Sequence, residues 1–333
     1  MVSQRPSAAP RPLGKPFAVK LVSIPANPAP VGARVGTITT RDGVTLRFAR
    51  FPPPPGRKGT VCLFPGRGEF IEKYFEVVHD LRTRGFAVAI LDFRGQGLSQ
   101  RAVRDGRKGH VGRFTDYLVD IETFVKEVVL PDCPPPFFAL GQGMGATVLI
   151  ESAARGHRWF DRMVLSGPMI DLAQRPLLGA AAPLARTLRL FGLGRLAAPG
   201  ASRRPAALGP FTDNPATSDP VRHARIAAVV EAGPALAVAA PTIAWVDAAF
   251  RTMAAMQRPT YAARLRQPML LVAGGSDTVV STAAVESFGS HLRAGSHLIV
   301  PGARHELMME RDPIRALFWA AFDAFVPGTP LYG

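Results

Sequence analysis

Short, wholly apolar runs alternate along this chain with stretches in which apolar side chains recur every three or four positions. The runs at 60–64, 87–91, 137–140, 162–165, 269–272 and 296–300 read as strands. The run 87–91 has no polar position at all, as expected of a strand buried on both faces. The stretches 71–84 and 115–130 and the final stretch 313–325 read as helices, and another helix begins at about 146. In the second of these, Leu118, Ile121, Val125 and Val128 form one face. Gly85 stops the first. Residues 34–51 form two strand-like runs around Arg41-Asp42-Gly43, a hairpin in which Gly43 supplies positive φ. Strands alternating with helices predict a mainly parallel central sheet flanked by helices.

The alternation breaks after Pro168. Residues 169–258 are rich in Ala, Leu, Arg and Pro and contain no clear strand. They are expected to form a helical cap inserted over the C-terminal edge of the sheet, where ligands bind in open α/β folds. The expected organisation is a disordered tail at 1–17, the first part of the core at 18–168, the cap at 169–258 and the second part of the core at 259–333. No internal repeat is present.

The length of 333 residues suffices for one large core plus an insertion. With 47% hydrophobic and 20% charged residues, the composition is that of a globular protein. Two cysteines, Cys62 and Cys133, exclude a disulfide framework, and Cys62 lies in an apolar run expected to be buried. No CxxC or HExxH occurs, so no metal and no cofactor are expected. The net charge is +15, and lysine stands at only six positions, 15, 20, 58, 73, 108 and 126, so arginine dominates the 40 basic residues. Such a surface suits peripheral contact with an anionic membrane surface, and it equally suits an arginine-biased composition with no partner. No nucleic-acid-binding motif accompanies it, so nucleic acid is not an expected partner. Residues 1–17 lack a continuous apolar stretch. The longest apolar candidate, 228–246, is interrupted by Glu231, Pro234 and Pro241. The cytoplasm is the expected location.

Three turns carry the chemistry, each after a predicted strand. Gly141-Gln142-Gly143-Met144-Gly145 has the frame of a G-x-S-x-G nucleophile elbow, with glycine at its centre. Glycine has no nucleophilic side chain, so no acyl-enzyme can form at 143. Gly274-Gly275-Ser276-Asp277 offers a carboxylate able to orient a histidine, and Pro301-Gly302-Ala303-Arg304-His305 offers the histidine. The order 143, 277, 305 is that of nucleophile, acid and base in α/β-hydrolases. The backbone N–H of Met144, just past the elbow, and that of Arg67, in Pro65-Gly66-Arg67, are placed for an oxyanion hole. His110 is expected to anchor the 115 helix and His79 to lie on a helix surface. Ser99, Ser166 and Ser281 are the nearest hydroxyls by motif, and none occupies an elbow.

The run GRGEFIEKYFEVVHDLRTRGFAVAILDFRGQGLSQR from Gly66 to Arg101 resembles bacterial lysophospholipases and monoacylglycerol lipases of the serine aminopeptidase S33-type hydrolases. GRKGHV at 106–111, TDNPATSD at 212–219, PTIAWV at 241–246 and PGARHELMMERDPIR at 301–315 continue the resemblance, which spans about residues 34–327. It implies the α/β-hydrolase fold and hydrolysis of carboxylic esters of single-acyl-chain lipids. In such relatives the elbow reads G-H-S-M-G-G. Here Gln142, Gly143 and Ala146 replace a histidine, the serine and a glycine, and Pro65 stands where many relatives carry histidine.

The resemblance implies that the residue at 143 would attack the acyl carbonyl, with His305 as base, Asp277 as its orienter, and Met144 and Arg67 as oxyanion donors. Three readings of Gly143 stand: a replacement in an otherwise active enzyme, a natural loss giving a lipid- or partner-binding pseudo-hydrolase, or a mechanism in which His305 and Asp277 activate water. Changes at 142 and 146 favour the second over a single introduced change. Little esterase activity is expected of the chain as written. Phe211, Ile243, Trp245 and Phe250 are the candidate acyl-pocket residues, with packing inside the cap as the alternative for each.

Overall fold

A computed structural model describes residues 20–56, 58–173 and 179–326. The expected tail at 1–17 lies outside the described residues. Eight strands form one sheet: β1 Arg34–Thr39, β2 Thr45–Phe51, β3 Thr60–Phe64, β4 Ala87–Leu91, β5 Phe137–Gln142, β6 Arg162–Ser166, β7 Met269–Gly274 and β8 Gly295–Val300. Their order is β1-β2-β4-β3-β5-β6-β7-β8. β1 pairs antiparallel with β2, and β2 with β4; every other pairing is parallel. The sheet is mainly parallel, as the sequence predicts, with the 34–51 hairpin as its antiparallel edge.

The central strands β3, β4 and β7 are buried at every position and almost wholly apolar because both of their faces are covered. Along β3, Cys62 and Phe64 face one core cluster, and Val61 and Leu63 the other. On the Val61 side lie α1 (Phe75–Thr83), through Val77, Val78 and Leu81, and the final helix (312–325), through Phe318 and Phe322. On the Cys62 side lie α2 (Thr115–Phe124) and a helix that starts at Met144.

Two predicted helices differ from the structure. The stretch 71–84 opens as a tight turn at Ile71–Tyr74 before α1 begins. Glu72 is fully buried there, bonded to Arg47 at 2.8 Å, so this turn follows a buried ion pair rather than an amphipathic face. The stretch 115–130 is α-helical to Phe124. It then widens at Val125–Val129 and ends in α3, Leu130–Asp132. Pro131 has no N–H to donate to the preceding turn, in keeping with the loss of regular winding.

Beyond β5 comes α4 (Met144–Ala154). The expected insertion falls between β6 and β7, and its described part contributes no strand to the sheet. It holds α5 (Ala181–Leu190), α6 (Pro220–Ala232) and α7 (Ile243–Met256), and α8 (Pro259–Arg264) follows it. Asp219 caps α6 by accepting the N–H groups of Val221 and Arg222, with Pro220 at the first helical position, and Thr242 caps α7. α9 (Thr282–Ser290) follows β7, and α10 (Asp312–Phe325) ends the described chain. No helix among the described residues is long and apolar enough to cross a membrane.

Candidate active site

A single residue separates β5 from α4. That residue is Gly143, with φ +50° and ψ −112°, a left-handed conformation that makes the bend sharp. Its N–H donates to Ser166 O at 2.8 Å, and Thr147 Oγ1 donates to its carbonyl at 3.0 Å. The flanking glycines are required by close approach. A Cβ on Gly145 would lie 2.1 Å from Phe64 O, and one on Gly141 would lie 2.7 Å from Ala146 Cα. The backbone therefore makes the sharp strand-to-helix bend of an elbow, with glycine at its centre.

Two loops at the same edge of the sheet bring Asp277 and His305 together. Asp277 follows β7 and His305 follows β8. Asp277 Oδ2 lies 2.8 Å from His305 Nδ1, and Asp277 Oδ1 accepts the N–H groups of Val279 and Val280 at 2.7 and 3.0 Å. The carboxylate is fully buried and its orientation is fixed by these bonds. The other ring nitrogen, Nε2, points at position 143, 3.2 Å from where a Cβ on Gly143 would sit. Gly167 leaves room for the imidazole, since its own Cβ would come within 3.1 Å of the ring. Burial pushes the His305 pKa down, but the hydrogen bond and charge of Asp277, with Glu306 and Glu69 behind, more than offset this and leave it raised. Gln142 Nε2 donates to His305 O at 3.2 Å and ties the histidine loop to the elbow.

In the turn after β3 the neighbouring backbone N–H groups are already engaged. Pro65 has no N–H. Gly66 N–H is taken by the Glu69 carboxylate and Gly68 N–H by the Gln96 side-chain oxygen. Glu69 N–H reaches back to Gly66 O. Arg67 N–H is the donor this bracing leaves over. Met144 N–H is the first of α4 and has no partner within the helix. Both residues line one cavity with Gly143 and His305.

Sequence reasoning missed the charged group that braces this turn. Lys73 Nζ bonds Glu69 at 2.8 Å and Glu306 at 2.5 Å, and Tyr74 donates to Glu69. Glu69 and Glu306 also line the cavity beside His305. Burial opposes the charge on Lys73, but Glu306 and Glu69 together raise its pKa. The i,i+4 spacing of Glu69 and Lys73 was a visible signal; the partnership with Glu306, 233 residues on, was not.

The cavity holds about 580 Å³. Trp245, Ile243 and Phe250 of α7 line it, with Leu184 of α5 and Val280 after β7. Phe211 corrects the expectation: it does not line this cavity. It lies in a tight turn, Phe211–Asp213, and packs its ring 5.6 Å from that of His223. His110 corrects another, because Nδ1 engages Thr242, the cap of α7, at 2.9 Å and not the 115 helix. His79 is exposed, as expected. Ser99 is bonded to Asp92 O, Ser281 caps α9, and Ser166 is buried in β6; none lines the cavity. No group of three or more metal-ligating side chains occurs among the described residues.

The profile of the family described as serine aminopeptidase, S33, matches residues 55–312. The chain is 30% identical over 292 residues to lysophospholipase L2 of Escherichia coli, covering 83% of this chain and 82% of that protein. It is 26% identical over 281 residues to a monoacylglycerol lipase of Mycolicibacterium smegmatis, covering 81% and 89%. Among solved structures, a soluble variant of monoglyceride lipase from Saccharomyces cerevisiae superposes with a TM-score of 0.72 at 20% identity, over 89% of this chain and 96% of that one. A carboxyl esterase from Bacillus coagulans gives 0.70 at 18% identity, over 90% and 100%. At such identities the structures speak to the fold alone.

Proposed function

This chain belongs to the serine aminopeptidase S33 family and has the α/β-hydrolase fold, and on that premise we propose that it binds single-acyl-chain lipids but has lost, at position 143, the covalent step of their hydrolysis. Its relatives support a lipid ester hydrolase-like function. The observation that carries the reading is His305 Nε2 aimed at Gly143, with Asp277 hydrogen-bonded behind it. In a serine-bearing site this pair would take the hydroxyl proton while the N–H groups of Met144 and Arg67 met the developing oxyanion. Here, among the described residues, glycine stands at the position Nε2 faces. The acyl chain of the lipid would lie along Ile243, Trp245 and Phe250, with the insertion acting as a lid. Leu190 and Phe191, 80% and 76% exposed at the end of α5, sit near Arg186 and Arg195, which supports peripheral contact with an anionic membrane surface.

A second reading, a binding protein with no hydrolytic role at all, is favoured by Gln142. Its side chain holds the His305 loop and leaves Oε1 buried without a partner, so more than the nucleophile has changed at the elbow. The test pairs the chain with Gly143→Ser. Fluorophosphonate labelling and turnover of a short-chain chromogenic ester should be absent from the chain as written. Both should appear in Gly143→Ser and fall sharply when His305→Ala is added. A folded serine variant that stays unlabelled decides for the second reading. Robust turnover by the chain as written overturns the proposal.

A further inference from the structure

We infer that the cavity over Gly143 is a carboxylate site, taking the ionised head of a free fatty acid in preference to the uncharged ester of the same chain. The inference rests on the preceding reading that the cavity accepts a single acyl chain, and adds what holds its polar end.

Arg67, Met144 and His305, which carry four donors between them, line the cavity with Gly143. Met144 N–H opens α4, an eleven-residue helix whose N-terminus carries the positive end of its dipole. Arg67 N–H is the one its turn leaves free. His305 Nε2 faces the same point, unobstructed because Gly143 carries no side chain. The fourth is the Arg67 guanidinium. It lies 5.3 Å over the Trp245 ring and donates one N–H to Ala239 O, while its Nε is buried with no partner. No carboxylate pairs with it among the described residues, and burial pulls its pKa down to about 10, so it stays charged at neutral pH.

An ester presents one carbonyl oxygen to an oxyanion hole. A carboxylate presents two oxygens and a negative charge. One oxygen can take the two backbone N–H groups. The second needs the space that a serine hydroxyl would fill, and there it can accept from protonated Nε2. Losing the side chain at 143 thus removes a nucleophile and opens an acceptor site in one step. Asp277 lies behind the ring on Nδ1. Glu69 and Glu306 also line the cavity, and Lys73, bonded to both, offsets one of their two charges, so the Arg67 guanidinium must offset the other. The raised pKa of His305 favours the imidazolium that the second oxygen requires. Binding should therefore weaken as pH rises through that pKa, with Arg67 and Lys73 keeping their charge throughout.

The test measures binding of decanoate, decan-1-ol and methyl decanoate to the full chain by calorimetry, at submicellar concentration. At about pH 6 decanoate should bind roughly tenfold or more tightly than the other two, and the margin should close by about pH 9. Gly143→Ser, which refills the acceptor space, and His305→Gln should each lower the affinity for decanoate by a larger factor than that for decan-1-ol, so that the margin closes. Should either variant fail to fold by its melting curve, the pH series on the unaltered chain still decides. Equal binding of decanoate and decan-1-ol at every pH overturns the inference and leaves the acyl-chain reading standing. A carboxylate preference indifferent to both folded variants places the anion elsewhere and also overturns it. Absence of binding by all three ligands overturns the acyl-chain reading itself, and this inference with it.

Discussion

A Cβ at position 143 would be held at φ +50°, in a region that L side chains rarely adopt, and would press to 3.2 Å against His305 Nε2. The first cost is backbone strain, about 1–3 kcal/mol at such sites. The second is met by a shift of a few tenths of an ångström in the imidazole, which the Asp277 bond resists. Gly143→Ser should therefore lower the melting temperature even as it restores labelling, and a melting curve beside the labelling gel checks both. An increase in stability would mean that the elbow relaxes to another conformation. Residues 143, 277 and 305 were legible in the sequence because each sits in a glycine-containing turn after an apolar run. Ile243, Trp245 and Phe250 were legible as apolar positions of the insertion. Phe211 was not, because composition cannot say which way a side chain in a tight turn faces. In the brace of Glu69, Lys73, Tyr74 and Glu306, the i,i+4 pair was visible but Glu306 was not, because it lies 233 residues from Lys73 and meets it only through the fold.

The strands show how far pattern reaches at the level of elements. Those at 60–64 and 87–91 coincide with β3 and β4 because a strand covered on both faces must be apolar at every position. Helix ends were harder, since the turn at Ile71–Tyr74 and the widened stretch Val125–Val129 answer to a buried ion pair and to Pro131. The junction of β5 and α4 depends on close approach more than on periodicity. Gly145→Ala would place a methyl 2.1 Å from Phe64 O, a backbone atom that cannot swing aside. The expected outcome is a loss above about 3 kcal/mol in denaturant unfolding, in the range of overpacking and strain combined. A loss under about 1 kcal/mol would show that α4 can slide away from β3.

Across the whole molecule, the insertion is bound to the core by charge. Glu76 of α1 accepts from Arg222 and Arg225 of α6, and Arg222 also reaches Asp312 at the start of α10. Burial raises the Glu76 pKa, but these arginines and Arg315 overcome it and hold the carboxyl at about 2 instead of 4.5. A carboxyl whose folded pKa is depressed stabilises the fold above its unfolded pKa, and that stability is lost as pH falls through the folded value. The shift corresponds to on the order of 3 kcal/mol at neutral pH, vanishing between about pH 4.5 and pH 2. Glu76→Gln should flatten the acid limb of a stability-against-pH curve in that window; an unchanged limb would assign acid sensitivity to other carboxyls. The same attachment bears on the lid. α6 is pinned through Arg222, and α7 packs Trp245, Ala248, Met253 and Met256 into the core, whereas α5 buries only Ala185 and is tied to α7 by an ion pair between Arg189 and Asp247. A lid must open for a lipid to enter, so its less firmly anchored part should carry the exchange. Amides of α5 should gain protection from hydrogen exchange when decanoate or a monoacylglycerol saturates the protein, while those of α6, of α7 and of β3 to β7 change little. Local opening free energies report such ordering directly. Protection confined to the sheet, with α5 exchanging as fast with ligand as without it, would mean that 169–258 is a fixed roof and that the ligand enters by another route.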